Sequence, residues 1–213
     1  KTLTQTQMDA MYRLMEQHLD AETGKGNSSM FNGRRNALLP AWFWLTVVNV
    51  FRYTAIRQNQ LLHIRLGDIN LEEKWIDLNI EGAKNHREHR VPIVSSLYPS
   101  LEELVRKASE AGMEPGDQVF NVGWFDLMRK SKYPEVMNEY PLRAFFRRLS
   151  RECKFTITPH RFRHTVATHM MKSPERNLYA VKKLLGHVSI TSTLEYIDES
   201  VDSLRDILET ELM

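Results

Sequence analysis

Two stretches of the sequence decide the fold, TPHRFRHTVATHM at residues 158–170 and LLGHVSITSTLEYI at residues 184–197. The first begins with the pattern of a helix start. Thr158 can accept a hydrogen bond from the first N–H groups of the helix, and Pro159 has no N–H that would need a partner. We therefore predict a helix that runs to about Lys172. Its buried stripe would consist of Phe162, Val166 and Met170.

The same helix start carries His160 and Arg163, three residues apart and on a face that the buried stripe directs away from the core. An imidazole and a guanidinium at a helix N-terminus can bind an anion, because the free N–H groups and the helix dipole add to the positive charge. The H-x-x-R pattern alone is weak evidence, since two surface residues on a first turn would look the same.

The second stretch predicts a turn that brings polar groups back toward that helix. A helix over residues 175–185 should end at Gly186, because glycine adopts the left-handed conformation that closes many helices. His187 follows directly, and a short helix should then carry Leu194 and Tyr196.

Hydrophobic spacing predicts the remaining elements. Helices are expected over residues 4–19, 38–56, 61–66, 97–111 and 141–153, and a β-hairpin over residues 74–80 and 90–94. Residues 23–33 are expected to form a polar loop, and residues 112–139 give no clear pattern. An amphipathic stripe closes the chain at Leu204, Ile207, Leu208 and Leu212. The predicted fold class is α+β, mainly α-helical with a small antiparallel β-sheet.

Composition narrows the class of protein. The 213 residues, 42% hydrophobic and 26% charged, are typical of one large or two small globular domains. The single cysteine, Cys153, excludes an internal disulfide and a cysteine-based zinc site. The longest apolar run, residues 41–50, is interrupted by Thr46 and Asn49 and is too short to cross a bilayer. Net charge is only +2, but residues 143–163 contain seven Lys/Arg against one acid, a cluster able to bind phosphates.

The two stretches together resemble the C-terminal signature of tyrosine recombinases of the phage-integrase type. Upstream, YTAIRQNQLLHIRLGDI at residues 53–69 matches the segment of the family's first arginine, and AKNHREHRVPI at residues 83–93 matches that of its catalytic lysine. The resemblance covers residues 4–198. Six functional positions fall in the family's order: Arg57, Lys84, His160, Arg163, His187 and Tyr196.

The resemblance implies a tyrosine recombinase catalytic-domain fold and a role for each of these residues. Tyr196 would attack the phosphorus of a DNA phosphodiester and form a covalent 3′-phosphotyrosyl link, with His160 as proton acceptor. Arg57 and Arg163 would clamp the phosphate, since guanidinium groups are planar and always charged. Lys84 would protonate the leaving oxygen. His187 would either hydrogen-bond a phosphate oxygen or steady the pocket.

The resemblance also implies the partners. We expect residues 1–213 to be the catalytic domain, with the family's N-terminal core-binding domain absent from this chain. The partner would be double-stranded DNA with a specific recombination site, bound as a homotetramer by a protein that is monomeric without DNA. We expect no cofactor and no metal, no membrane contact, and a cytoplasmic, nucleoid-associated protein encoded by a bacterium or phage. Backbone contacts to DNA are expected from His86, Arg87, Arg90 and Arg161, and from His89 on the same hairpin.

One position departs from the family, and several alternatives stay open. Three residues after the arginine the family usually carries an acid, and this chain has Gln60 there. The amide of Gln60 can form hydrogen bonds but carries no charge. A type IB topoisomerase shares the chemistry, a DNA-binding module would lack it, and a metal phosphoesterase would need a metal. His164 lies four residues after His160, and His169 follows; such a spacing can bind zinc, but no cysteine or carboxylate completes a ligand set.

Overall fold

The computed structural model describes residues 2–24, 30–31, 34–79, 89–130, 132–133, 135–172, 174–187 and 189–196. The helices are α1 Gln5–Gly24, α2 Ala41–Thr54, α3 Gln58–Leu62, α4 Tyr98–Glu110, α5 Leu127–Lys130, α6 Glu139–Cys153, α7 Pro159–Met170, α8 Pro174–Leu185 and α9 Thr191–Leu194. The strands are β1 Met30–Phe31, β2 Arg34–Arg35, β3 Ile69–Asn70, β4 Trp75–Leu78 and β5 His89–Pro92. Short 3-10 turns form at Leu66–Asp68 and Val122–Trp124.

Helix α2 lies at the centre of the fold, as its apolar sequence predicts. It packs against α1, α4 and α7, and most of its side chains are buried. Its Trp44 ring stacks on Phe145 of α6 with centroids 4.6 Å apart. The helix is shorter than the predicted 38–56, because Pro40 precedes its first turn and Ala55 turns the chain with a φ of 54°.

The predicted hairpin is present as β4 and β5, which pair antiparallel with Ile76 opposite Val91 and Leu78 opposite His89. Ile80, the predicted end of the first strand, lies outside the described residues. Strand β3 adds a third strand beside β4. Sequence spacing missed β3 because two residues are too few to show an alternation.

Helix α7 begins as predicted, since the Thr158 hydroxyl accepts a hydrogen bond from the Arg161 N–H. Phe162 packs in the main core, and Ala167 joins a smaller cluster with Val181 and Leu185 of α8. The helix ends two residues earlier than expected, at Met170. The predicted orientation of Arg163 is wrong, because its side chain is buried.

Other parts of the chain also differ from the predictions. The helix expected at residues 61–66 begins at Gln58 and ends at Leu62. Hydrophobic spacing did not predict this start, because the first turn of the helix is polar. Helix α1 extends to Gly24, and β1 lies inside the expected loop. Within residues 112–139 the structure forms a 3-10 turn and α5. Tyr196 follows the end of α9 instead of lying in it. Across the parts of the chain that are described, no helix has both the length and the apolar character to span a membrane.

Candidate active site

Arg163 is the centre of the site. Its side chain is 6% exposed, and its guanidinium donates to the carbonyl oxygens of Ala55 and Leu185, each at 2.9 Å. These carbonyls close the ends of α2 and α8, where the chain cannot continue the helical bonding pattern. Burial lowers the pKa of Arg163 to about 10, and the nearby Arg57 charge adds to this effect. The group therefore stays a cation near neutral pH.

Arg57 lies one turn beyond α2, at the start of α3. Its backbone N–H donates to Oε1 of buried Gln60 at 2.8 Å. The amide that replaces the family's acid therefore holds the backbone of Arg57 in place without a charge. Burial lowers the pKa of Arg57, and the proximity of Tyr196 opposes that shift.

His187 bridges α7 and α9. Its Nε2 lies 3.1 Å from Nη2 of Arg163, and its Nδ1 lies 3.0 Å from Oγ1 of Thr193. Burial, together with the charges of Arg163 and Arg57, lowers the pKa of His187 to about 4. The ring is therefore neutral at pH 7.

Tyr196 lies beside this group. It is near enough to Arg163 to oppose the lowering of that residue's pKa, and its ring lies nearly parallel to His187 with centroids 6.2 Å apart. Its other ring neighbour is His164, at 5.1 Å between centroids. His160, the predicted proton acceptor, is exposed and stands edge-on to His164 at 4.2 Å.

A cleft of about 430 Å³ opens beside these residues. Arg57, His160 and Arg163 lie on its wall, together with Arg143 and Arg147 of α6. The positive charge predicted for residues 143–163 is thus gathered partly in this one cleft. Such a concave, cationic surface suits a phosphate-rich ligand.

His89 belongs to the site although sequence analysis placed it on a DNA-facing hairpin. Its Nε2 lies 3.1 Å from the carbonyl oxygen of Leu184, and Arg163 and Arg57 are near enough to lower its pKa further after burial has done so. A side chain on Gly186 would meet the His89 ring at 3.3 Å, and Gly186 also has a φ of 62°. The close His89 ring and the left-handed backbone conformation therefore both favour glycine at position 186. No local pattern in the sequence indicates this contact.

Four of the six predicted residues, Arg57, Arg163, His187 and Tyr196, come together, and His160 lines the adjoining cleft. Lys84 lies outside the described residues, as do His86, Arg87 and the C-terminal stripe. Arg90 pairs with Asp77 at 2.7 Å and covers the Trp75 ring. Arg161 donates to the carbonyl oxygens of Thr156 and Thr2. Among the described residues, no three His, Cys, Asp or Glu side chains are grouped to hold a metal.

Known proteins share both the sequence pattern and the fold. Residues 1–202 match the phage integrase family. A Pseudomonas aeruginosa protein named as a tyrosine recombinase XerC is 44% identical over 176 residues, covering 83% of this chain and 40% of that protein. Tyrosine recombinase XerA of Pyrococcus furiosus is 24% identical over 156 residues, covering 73% of this chain and 50% of the relative.

Solved structures agree on the fold. The Tn1549 transposon integrase, in complex with transposon right end DNA, aligns with a TM-score of 0.72 at 18% identity, covering 100% of this chain and 66% of the integrase chain. The crystal structure of XerA recombinase aligns with a TM-score of 0.65 at 19% identity, covering 99% of this chain and 64% of that one. The predicted fold class is confirmed. The chain spans about half or less of the length of the two relatives named above.

Proposed function

Because the chain belongs to the phage integrase family, we propose that residues 1–213 form the catalytic domain of a tyrosine recombinase. It cleaves and rejoins DNA strands at a specific site through a covalent 3′-phosphotyrosyl intermediate. The observation that carries this proposal is the convergence of a tyrosine, Tyr196, on two guanidinium groups, Arg163 and Arg57.

The two arginines supply the charge that phosphoryl transfer needs. Charge in the transition state is spread over the non-bridging oxygens, and fixed cations stabilise it best in a site that needs no rearrangement. Arg163 is fixed by two backbone carbonyls, and the backbone of Arg57 is held by the Gln60 amide at the start of α3. Helix ends therefore help to position both residues.

The reaction balances without a cofactor. The Tyr196 oxygen forms a bond to phosphorus, the bond from phosphorus to the 5′ oxygen breaks, and that oxygen takes a proton from Lys84. The products are a 3′-phosphotyrosyl link and a free 5′-hydroxyl. Attack by the 5′-hydroxyl of a partner strand reverses the same steps and needs no ATP.

The Tyr196 proton needs an acceptor, because the reference pKa of tyrosine is about 10. We propose His160 for this role, with His164 as the second candidate, since His164 is the histidine that contacts both the His160 and Tyr196 rings. Replacing each by alanine separates them: a larger loss of cleavage rate in His164→Ala would overturn the assignment to His160.

Double-stranded DNA is the proposed partner. The cationic cleft with Arg143 and Arg147 supports phosphate contacts next to the clamp. The Tn1549 integrase resembling this chain was solved with DNA. Contacts from His86, Arg87, Arg90 and Arg161, assembly into a tetramer on DNA, and a cytoplasmic, nucleoid-associated location belong to the same proposal.

The decisive experiment compares Tyr196→Phe with Tyr179→Phe. Tyr179 lies on α8 and is 76% exposed, so it controls for the loss of a tyrosine hydroxyl at an exposed position. DNA duplexes that the chain selects from a random pool are nicked so that a cleaved strand cannot be rejoined. We expect a covalent adduct for the native chain and for Tyr179→Phe, and none for Tyr196→Phe, while all three bind DNA.

A normal adduct yield in Tyr196→Phe would exclude Tyr196 as the nucleophile. Cleavage that EDTA abolishes would favour a metal phosphoesterase. Binding without any adduct would favour a DNA-binding module. Exchange between two sites separates a recombinase from a type IB topoisomerase, which shares the covalent chemistry.

A further inference from the structure

Thr193 links two functional side chains that the sequence places nine residues apart. It is fully buried in α9, and its hydroxyl lies 3.0 Å from Nδ1 of His187. Its carbonyl oxygen accepts the backbone N–H of Tyr196 at 3.2 Å. One residue thus contacts His187 through its side chain and the tyrosine segment through its backbone.

The contacts of His187 determine which ring nitrogen carries the proton. A guanidinium has only N–H donors, so Nε2 of His187, at 3.1 Å from Arg163, must be the acceptor. A neutral imidazole then carries its proton on Nδ1. This N–H points at Oγ1 of Thr193, which accepts it.

This arrangement decides between the two roles that the sequence leaves open for His187, which are to hydrogen-bond a phosphate oxygen or to steady the pocket. An Nε2 that accepts from Arg163 has no proton to donate to a phosphate oxygen. In this state the ring steadies the guanidinium, which is otherwise held by the carbonyls of Ala55 and Leu185. Thr193 fixes the ring in that state from the opposite edge.

We propose that Thr193 is a positioning residue: its hydroxyl holds His187 in the Nδ1–H tautomer, and so couples the tyrosine segment to the phosphate-binding guanidinium of Arg163. The catalytic consequence rests on the proposed recombinase function, whereas the tautomer itself does not. A displacement of α9 that moves Tyr196 would therefore also release His187 from Arg163.

The test uses the 213-residue chain with ring-15N-labelled histidine. The His187 signals are identified by their loss in His187→Gln. Thr193→Val keeps the shape and removes the hydroxyl, Thr193→Ser keeps the hydroxyl and removes the methyl group, and Thr191→Val makes the same change at an exposed position of α9. We expect the Nδ1–H form in the native chain, in Thr193→Ser and in Thr191→Val, and a growing Nε2–H form in Thr193→Val.

Adduct formation on selected nicked DNA is measured for the same variants. We expect Thr193→Val to slow it about tenfold, the factor that corresponds to one ordinary hydrogen bond. Thr193→Ser should recover most of the rate. A role in packing alone predicts the reverse order, because valine fills the site and serine leaves a gap.

The proposal is overturned if Thr193→Val retains the native tautomer, or if Thr193→Ser is changed as much as Thr193→Val. If no variant, the native chain included, forms an adduct, the recombinase function fails. The ring-nitrogen signals would still decide the assignment of Thr193.

Discussion

A guanidinium as buried as that of Arg163 persists as a cation only because its N–H groups have partners. Removing a charge from water costs several kcal/mol unless hydrogen bonds replace the lost hydration. Ala55, Leu185 and His187 provide three of them. The same residue that would bind the phosphate thus also joins the ends of α2 and α8. Function and stability should therefore fall together at this position.

A comparison of Arg163→Lys with Arg57→Lys tests whether function and stability are coupled at Arg163. A lysine ammonium cannot reach both carbonyls with the fixed geometry of a guanidinium, so we expect Arg163→Lys to lose about 3 kcal/mol of unfolding free energy. Arg57→Lys, at a half-buried position, should lower the unfolding free energy by less than about 1 kcal/mol. Both should slow adduct formation about 100-fold, the loss typical of one transition-state contact.

Urea unfolding followed by circular dichroism measures the first effect, and adduct formation on nicked DNA measures the second. Equal unfolding free energies for the two variants would show that the contacts of Arg163 do not hold the helix ends. Native cleavage rates in both would remove the clamp from the mechanism.

At the scale of elements, local chemistry made some features predictable. The cap at Thr158, the closing glycine at Gly186 and the buried sequence of α2 are each encoded within a few residues, and each is confirmed. The polar first turn of α3 and the two-residue strand β3 leave no such local signal. Neither does the burial of Arg163, which depends on where α2 and α8 end in space.

The residues of the site also divide into those that local sequence predicts and those that it does not. Motif spacing predicted Arg57, Arg163, His187 and Tyr196 as site residues, and the fold brings these four together. It could not identify His89, because the contact with Leu184 joins residues 95 positions apart in sequence. Long-range contacts of this kind arise from packing, which a single sequence does not display.

At the scale of elements, the testable prediction concerns the contact that His89 makes between β5 and α8. It fixes the start of β5 to the end of α8 through the Leu184 carbonyl and the surface of Gly186. His89→Ala should therefore lower the unfolding free energy by about 1–2 kcal/mol, because the carbonyl loses its partner. His89→Gln can still donate and should lose less. Arg90→Ala, on the exposed side of the same strand, should change stability by less than about 0.5 kcal/mol.

Hydrogen exchange locates the effect. The amides of Gly186 and His187 bond to Lys183 and Lys182 at the end of α8. Their exchange should accelerate in His89→Ala and not in Arg90→Ala. Unchanged exchange at both amides would mean that the hairpin and the α8 end are held together by other contacts.

For the whole molecule, the cationic site makes stability depend on pH. The pKa of His187 is about 4 in the folded chain because of burial and the charges of Arg163 and Arg57, against about 6.5 in the unfolded chain. As pH falls below about 6.5, the unfolded chain binds a proton at this residue that the folded chain does not. The stabilising contribution is therefore complete above about pH 6.5 and lost progressively as pH falls to about 4.

His187→Gln should remove this dependence, since glutamine does not titrate and can still accept from Arg163. Between pH 7 and pH 5 we expect the native chain to lose on the order of 1 kcal/mol more unfolding free energy than the variant, after allowance for solvent screening of a half-exposed ring. Other groups with a shifted pKa, such as Glu22 and His89, are present in both proteins, so their contributions cancel in this comparison. Urea unfolding at both pH values measures the difference, and parallel losses in the two proteins would show that burial and the two arginine charges do not lower the pKa of His187.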